Sequence, residues 1–307
     1  MKSIDIADLD CIYLSYDEPQ KEEFWVKIRN MVPWAKRVDN VKGSDAAHKA
    51  AAAASDTERF ILIDGDNLPV EDFFNQTIEH INDDYEQAVY RWRARNHING
   101  LMYGNGGMSS WTKTFVNNMR THEASEGSDA TDVEFCFDPL YWPMHDCFST
   151  TYPNGSAKHA WRAGFREGVK MTLDGGLKVP AQEIEKRVWW HNIHRLRQWS
   201  TVGSHTENGL FAILGARQGN YLTNCTDWDH VRVRDFELLK EEYETHAKKF
   251  ENDETAMIEE IKSLGEKLKH GLGFNYPYLD PAMSKYTVDL YNESINMGTT
   301  YYSQTYV

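Results

Sequence analysis

The sequence predicts an α/β fold: a mostly parallel sheet with flanking helices, followed by a helical C-terminal extension. Three observations predict it. Short apolar runs alternate with segments of helical periodicity over the first hundred residues. Two of those runs end in polar loops, Ser15-Tyr16-Asp17 and Asp64-Gly65-Asp66. The chain from Val231 to His270 is charged, with apolar residues at helical spacing. Strands separated by helices of this length imply βαβ units and parallel pairing.

Each element has a local reason. Cys11 to Ser15 (CIYLS) is a short apolar strand. Glu18 to Met31 carries Phe24, Val26, Ile28 and Met31 at helical spacing, and Pro33 stops it. Trp34 to Val38 fits a second strand. Gly43 and Ser44 open an Ala-rich helix over Asp45–Ala54, with Ser44 or Asp45 as its N-cap. Phe60 to Ile63 is the third strand. Pro69 to Ile81 fits a helix with Pro in its first turn. The middle of the chain is less regular; Gly104-Asn105-Gly106-Gly107 reads as a turn, and His159 to Met171 as an Arg-aromatic helix. Between Val231 and His270, Phe236, Leu239, Tyr243, Phe250, Met257, Ile261, Leu264 and Leu268 mark an amphipathic helix or hairpin. The Tyr-rich tail from Tyr276 shows no clear element, and no internal repeat is present.

Composition narrows the function classes. The 307 residues are 41% apolar, enough to bury a real core, and 13% aromatic, with 10 Trp and 16 Tyr. Such aromatics suit flat ligands as well as core volume. The net charge of -14 argues against a protein that coats nucleic acid, although the distribution matters more than the mean. Cys11, Cys136, Cys147 and Cys225 lack zinc-ligand spacing and read as reduced thiols of a cytosolic protein. The acidic start MKSIDIADLD is not a signal peptide, and no apolar run approaches the ~18 residues of a membrane helix.

The site argument starts from RFILIDGDN, residues 59 to 67. Two carboxylates one residue apart at a strand end repel each other unless a cation or a set of donors faces them. A plain turn is the bland alternative, since Asp, Gly and Asn all favour turns. In parallel sheets, however, ligands bind beyond the carboxyl ends of the strands. Ser15-Tyr16-Asp17 and Asp64-Gly65-Asp66 both fall there, so two polar loops converge on one edge.

The order of these features resembles a GT-A (Rossmann-like) glycosyltransferase. The motifs are Leu14-Ser15-Tyr16-Asp17-Glu18, then Val41-Lys42-Gly43-Ser44 with Ala47-His48-Lys49, then the D-x-D Asp64-Gly65-Asp66. INGLMYGNGGM (98–108), STTYPNGS (149–156), AWRAGFREGVKM (160–171) and NGLFAILGARQG (208–219) are similar to phage-encoded glycosyltransferases that act on hydroxymethylated pyrimidines in DNA. The resemblance covers about residues 9 to 220. It implies a catalytic domain over 1–225, with 226–307 as a helical extension packed on it. It further implies a UDP-sugar donor, Mn²⁺ or Mg²⁺, hydroxymethylated DNA as acceptor (5-hydroxymethylcytosine foremost) and no membrane partner. The setting is cytoplasmic, that of the host cell for a phage enzyme.

The resemblance also implies roles for residues. Asp66 is the surer metal ligand and Asp64 holds ribose or assists the metal, with Gly65 letting the backbone come close. His205 is the candidate third ligand, against the reading of a surface-loop His. Ser15, Tyr16 and Asp17 address the nucleobase and Lys42 the diphosphate; an exposed loop lysine is the alternative for Lys42. Glu167 is the candidate base for an inverting transfer, or else a partner of Arg162, Arg166 or Lys170 on its helix. Trp161 and Arg162 contact sugar or acceptor, or Trp161 is core. Gly106 and Gly107 let the backbone run beside the acceptor.

Two basic-aromatic runs interrupt the acidic average. Tyr90 to Arg95 alternates with period two, as in a strand with Arg outward and Trp inward. Lys186 to Trp199 includes Arg187, Trp190, Arg195 and Arg197 without an acid between 186 and 199, a composition suited to nucleic acid. Two other readings stay open. One is a glycosyltransferase with a glycan, protein or small-molecule acceptor, which the net charge favours. The other, a phosphotransferase of the haloacid-dehalogenase type, fits poorly because two βα units precede the D-x-D.

Overall fold

A computed structural model of the chain describes residues 3–79, 85–121 and 138–296. These form two compact units, residues 1–96 with 102–152, and residues 97–101 with 153–307.

The first unit is built on a seven-stranded sheet. Its strands are β2 (Asp10–Ser15), β3 (Lys36–Asp39), β4 (Arg59–Asp64), β5 (Asn67–Pro69), β7 (Val89–Asn96), β8 (Met102–Thr112) and β9 (Tyr141–Thr151), in the order β3-β2-β4-β8-β7-β9-β5. A separate pair joins β1 (Ser3–Asp5) to β6 (Thr77–Glu79). The expected parallel start is present: β2 pairs in parallel with both β3 and β4. The sheet as a whole is mixed, which corrects the mostly parallel expectation. β8 runs antiparallel to β4 and to β7, and β5 antiparallel to β9; only β7 and β9 add another parallel pair.

Side-chain alternation gives the sheet two buried faces. Ile12, Phe60, Leu62 and Trp111 pack on one side with Ala51 and Ala52 of α2 (Ser44–Ala54). Cys11, Tyr13, Ile61 and Ile63 pack on the other with Phe24 and Ile28 of α1 (Lys21–Met31). The small side chains of α2 are what seat it on the sheet. Its N-cap is Gly43, at φ 95°, rather than Ser44 or Asp45. Val26 of α1 faces solvent, outside the predicted apolar stripe.

Two expectations for this unit are corrected. The described part of the predicted helix, residues 69–79, is not helical: Pro69 closes β5, which pairs with β9, and Thr77–Glu79 pairs with β1. A short 3₁₀ turn, Glu71–Asn75, lies between them and buries Phe73 and Phe74. Long-range strand pairing overrides the local periodicity. Gly104 to Gly107 lie inside β8 rather than in a turn. The run Tyr90 to Arg95 is strand β7, with Tyr90 and Trp92 buried as expected, but a register shift between Arg91 and Arg93 breaks the period of two and Arg93 is buried as well.

The second unit is helical, with α4 (Ala157–Lys170), α5 (Ile184–Arg187), α6 (Trp190–Thr201), α7 (Gly209–Cys225), α8 (Phe236–His246), α9 (Glu254–Leu272) and α10 (Pro281–Asn296). α3 (Lys113–Asn118) belongs to the first unit. The glycines of AGFREG and GARQG explain one another. A Cβ on Gly164 or Gly168 would strike the backbone of Ala212 or Ala216, and one on Gly215 or Gly219 would strike that of Trp161 or Phe165. The two helices thus meet backbone to backbone. Arg217 of α7 is fully buried and donates to the carbonyls of Ser200, Ile261 and Pro277. The predicted amphipathic pattern is borne out at Leu239, Tyr243, Met257, Ile261, Leu264 and Leu268, all buried. Helix α10 was not anticipated; Asp280 accepts from the Met283 N–H and Pro281 opens the first turn.

Cys11, Cys147 and Cys225 are free thiols; Cys136 and the tail beyond Asn296 lie outside the described residues. No described helix is long and apolar enough to cross a membrane.

Candidate functional site

The parallel registers bring the ends of three adjacent strands into a row. Leu14 is level with Asp64, and Ser15 with Asp39. The row has two electrostatically different halves.

The β2–β3 half is charge-compensated. The Ser15 hydroxyl donates to Asp39 Oδ1 at 2.7 Å, and Lys21 Nζ reaches the same oxygen at 2.9 Å. Arg37 Nε donates to Ser15 Oγ at 3.0 Å while its terminal nitrogens grip Glu22 at 2.8 and 2.7 Å. Burial pushes the Asp39 carboxyl up, but the bonds from Lys21 and Ser15 and the charge of Arg37 outweigh it and hold the group below its ordinary range. Asn40, at φ 61°, turns the chain here.

The β2–β4 half is not compensated. Burial pushes the half-buried Asp64 carboxyl well above its usual range, and the charges of Asp66 and Glu18 push it further. Among the described residues no hydrogen bond or cation lowers it. Glu18 is also pushed up, by burial first and then by Asp66 and Asp17, against the opposing bond from the Tyr16 N–H at 2.7 Å. Its carboxylate fills the space where a Cβ on Gly65 would stand, so Gly65 admits a third carboxylate beside the D-x-D. The Tyr13 hydroxyl donates to the Gly65 carbonyl at 2.8 Å and fixes the turn.

Asp66 is held from behind. Asn67 Nδ2 donates to its Oδ1 at 2.8 Å and the Thr151 hydroxyl to its Oδ2 at 3.0 Å. Asn67 is buried, accepts from the Ser149 hydroxyl at 3.2 Å, and occupies the space that a side chain at Gly107 would need. Gly107 therefore underlies the Asp66 support. Gly106 also lies in β8, but its surroundings are outside the described residues.

Tyr16, Asp17 and Lys42 are exposed, the first two immediately after β2 and Lys42 just before α2. The other candidates lie in the second unit. His205 is half-buried, its Nδ1 2.9 Å from the Ser284 hydroxyl; burial, with Lys285 nearby, holds its imidazole below the ordinary range. Glu167 is half-buried on α4. Trp161 is fully buried, with its indole N–H on Gln218 at 2.6 Å, which is the core placement. The Arg162 guanidinium lies 4.9 Å over the Phe236 ring. Arg187 pairs with Asp174 at 3.1 Å and Glu183 at 3.5 Å, and Trp190 is exposed.

Among the described residues no set of three His, Cys, Asp or Glu side chains is arranged to hold a metal ion. Two carboxylates nevertheless suit a hard cation that takes its remaining oxygens from phosphate and water. An acidic row with no internal counter-charge fits such a cation. Sequence reading did not single out Glu18, Asn67 or Thr151 as site residues. Glu18 stands in the quoted loop, but only the β2–β4 register reveals that it faces Gly65, and only strand β9 delivers Thr151.

No family model and no curated protein sequence matches the chain. Among solved structures the chain is similar to a glycosyltransferase involved in the glycosylation of the major capsid of PBCV-1. Identity is 11% and the TM-score 0.28, over 45% of this chain and 81% of that one. It is also similar to HddC from Yersinia pseudotuberculosis, at 13% identity and a TM-score of 0.29, over 50% of this chain and 97% of that one. At TM-scores this low the overlaps carry no weight for fold or activity.

Proposed function

We propose that the chain is a metal-dependent glycosyltransferase that moves a sugar from a UDP-sugar to a hydroxymethylated pyrimidine in DNA. The observation that carries the transferase reading is the carboxylate row at the ends of β2 and β4, where no donor or counter-cation among the described residues lowers Asp64. The order of motifs that resembles GT-A enzymes supports it. In this reading Asp64 and Asp66 hold Mn²⁺ or Mg²⁺. The bound cation supplies Lewis acidity and charge neutralisation for a departing nucleoside diphosphate.

The residues of the chain have distinct tasks. Asn67 and Thr151 fix the rotamer of Asp66, so its orientation costs little when a ligand arrives. Tyr13 pins the Gly65 carbonyl and with it the spacing of the two acids. Ser15, Tyr16 and Asp17 are assigned to the nucleobase and Lys42 to the diphosphate, with the buried Ser15 hydroxyl already engaged by Asp39 and Arg37. Glu167 is assigned as the base that takes the acceptor proton, and His205 as the further ligand. The DNA acceptor rests on the resemblance of four segments. The net charge of -14 favours a second reading, transfer to a glycan, protein or small molecule.

The test is nucleoside mass spectrometry of hydroxymethylcytosine DNA incubated with a panel of UDP-sugars and Mn²⁺. A mass gain of one sugar on the modified base, lost with Asp66→Ala, is expected. Metal-dependent UDP-sugar consumption without modified DNA moves the acceptor to the second reading. Transfer that persists in Asp66→Ala refutes the site. Near-normal turnover of Glu167→Gln removes that residue from catalysis.

A further inference from the structure

The second unit carries two adjacent exposed indoles. Trp189 is 45% exposed and Trp190 54% exposed, at the start of α6. Neighbouring exposed tryptophans leave a large apolar surface in water and mark a contact site more often than chance placement does. Both rings are held from inside the protein. His191, itself buried, stacks on Trp190 at 3.5 Å between centroids and meets Trp189 edge-on at 4.4 Å. The Arg195 guanidinium lies 5.2 Å over Trp189. The rings are thus fixed before any ligand arrives, which lowers the entropy lost on stacking.

The run that carries them is basic, although Glu185 adjoins it. Lys186, Arg187, Arg195 and Arg197 lie between positions 186 and 199, which hold no acid, in a chain of net charge -14. Asp174 and Glu183 occupy Arg187, whereas Lys186 and Arg197 are exposed. Burial, followed by Arg197 and Arg195, holds the His194 imidazole below its ordinary range, in keeping with a positive local field. A neutral glycan can stack on indoles but gains nothing from this field. A polyanion with flat rings gains from both.

We infer that Trp189 and Trp190 form a stacking platform for unpaired bases of a single-stranded or locally opened nucleic acid, with Lys186 and Arg197 meeting its phosphates. Binding at this surface requires neither sugar donor nor metal, so it stands or falls separately from the carboxylate row; only its reading as the acceptor surface rests on the proposed function.

The test is fluorescence anisotropy of a labelled oligothymidylate of about 15 nucleotides, in EDTA and without donor. Wild-type protein should bind it, prefer it to a hairpin duplex, and lose affinity steeply between about 50 and 200 mM salt. Trp189→Ala/Trp190→Ala should weaken binding roughly tenfold or more, and Trp190→Phe should restore most of it. Arg197→Ala should flatten the salt dependence without abolishing binding. Should the alanine variant misfold by circular dichroism, quenching of wild-type tryptophan fluorescence by the oligonucleotide, reversed by salt, supplies the same readout. Unchanged binding in a folded alanine variant overturns the proposal. So does wild-type binding of maltoheptaose in place of the oligonucleotide, or the absence of oligonucleotide binding at low salt.

Discussion

Arg217 and Asp64 show two ways of keeping a charge away from water. Arg217, in the helical unit, is fully buried without a carboxylate nearby, yet its guanidinium donates to three backbone carbonyls. Burial lowers its pKa only to about 10, so it stays charged at neutral pH. Asp64, at the end of β4, is less buried but worse served: among the described residues no donor lowers it and its neighbours Asp66 and Glu18 share its sign. The first arrangement is complete within the protein and stabilises the crossing of α6, α7 and α9. The second is not, and in the proposed function a cation would complete it. Carboxylates whose ionisation is opposed by burial and like charge cluster at functional sites, which is why the proposal rests on this end of β4.

The largest effect tests the complete member of the pair. Arg217→Met keeps volume but strands three carbonyls, and should destabilise the protein by about 3 to 5 kcal/mol in urea titrations. A loss under about 1 kcal/mol would mean that those carbonyls find other partners.

Asp64→Asn should act with the opposite sign. In metal-free protein it relieves like-charge repulsion and desolvation, raising stability by about 1 kcal/mol, a modest figure because the group keeps some contact with water. It should abolish manganese-dependent UDP binding at the same time. A variant that is both less stable and still metal-dependent would break the comparison.

The pH profile sharpens it. Asp64 and Glu18 have folded pKa values above their unfolded ones. Their ionisation therefore disfavours the folded state: on their account stability is greatest below about pH 4 and falls as pH rises through the raised values. Asp39, held low by Lys21, contributes the reverse, losing its stabilisation on acidification. The stability gap between Asp64→Asn and wild type should vanish in acid, widen as pH rises, and close again in saturating Mn²⁺. A gap independent of pH would contradict this assignment.

The smaller effects are local. Tyr13→Phe removes the bond to the Gly65 carbonyl and should cost about 1 kcal/mol, with a matching loss of metal affinity. Lys285→Ala breaks an exposed pair with Asp289 on α10 and should change stability by less than about 0.5 kcal/mol.

Much of this contrast was legible in the sequence, though unevenly. The strand-helix alternation through β4 follows from local periodicity, and so do the acids at its end. The amphipathic pattern of α8 and α9 does too. The mixed sheet was not legible, because the pairing of β8 with β4 and of Pro69 with β9 is decided by residues far apart in sequence. Long-range pairing also hid Asn67 and Thr151 as supports of Asp66. The glycines of α4 and α7 were visible, but only their mutual contacts show that they permit close helix packing. Helix α10 had a readable start in Asp280-Pro281 that the Tyr-rich composition obscured.

The central claim is that the acids closing β4 hold a divalent cation bearing a nucleoside diphosphate. Manganese electron paramagnetic resonance in the presence of UDP tests it most directly. One bound ion per wild-type chain is expected, displaced by Mg²⁺ and absent in both Asp64→Asn and Asp66→Ala. Equal manganese binding by the folded variants, or none by wild type with UDP present, would contradict it.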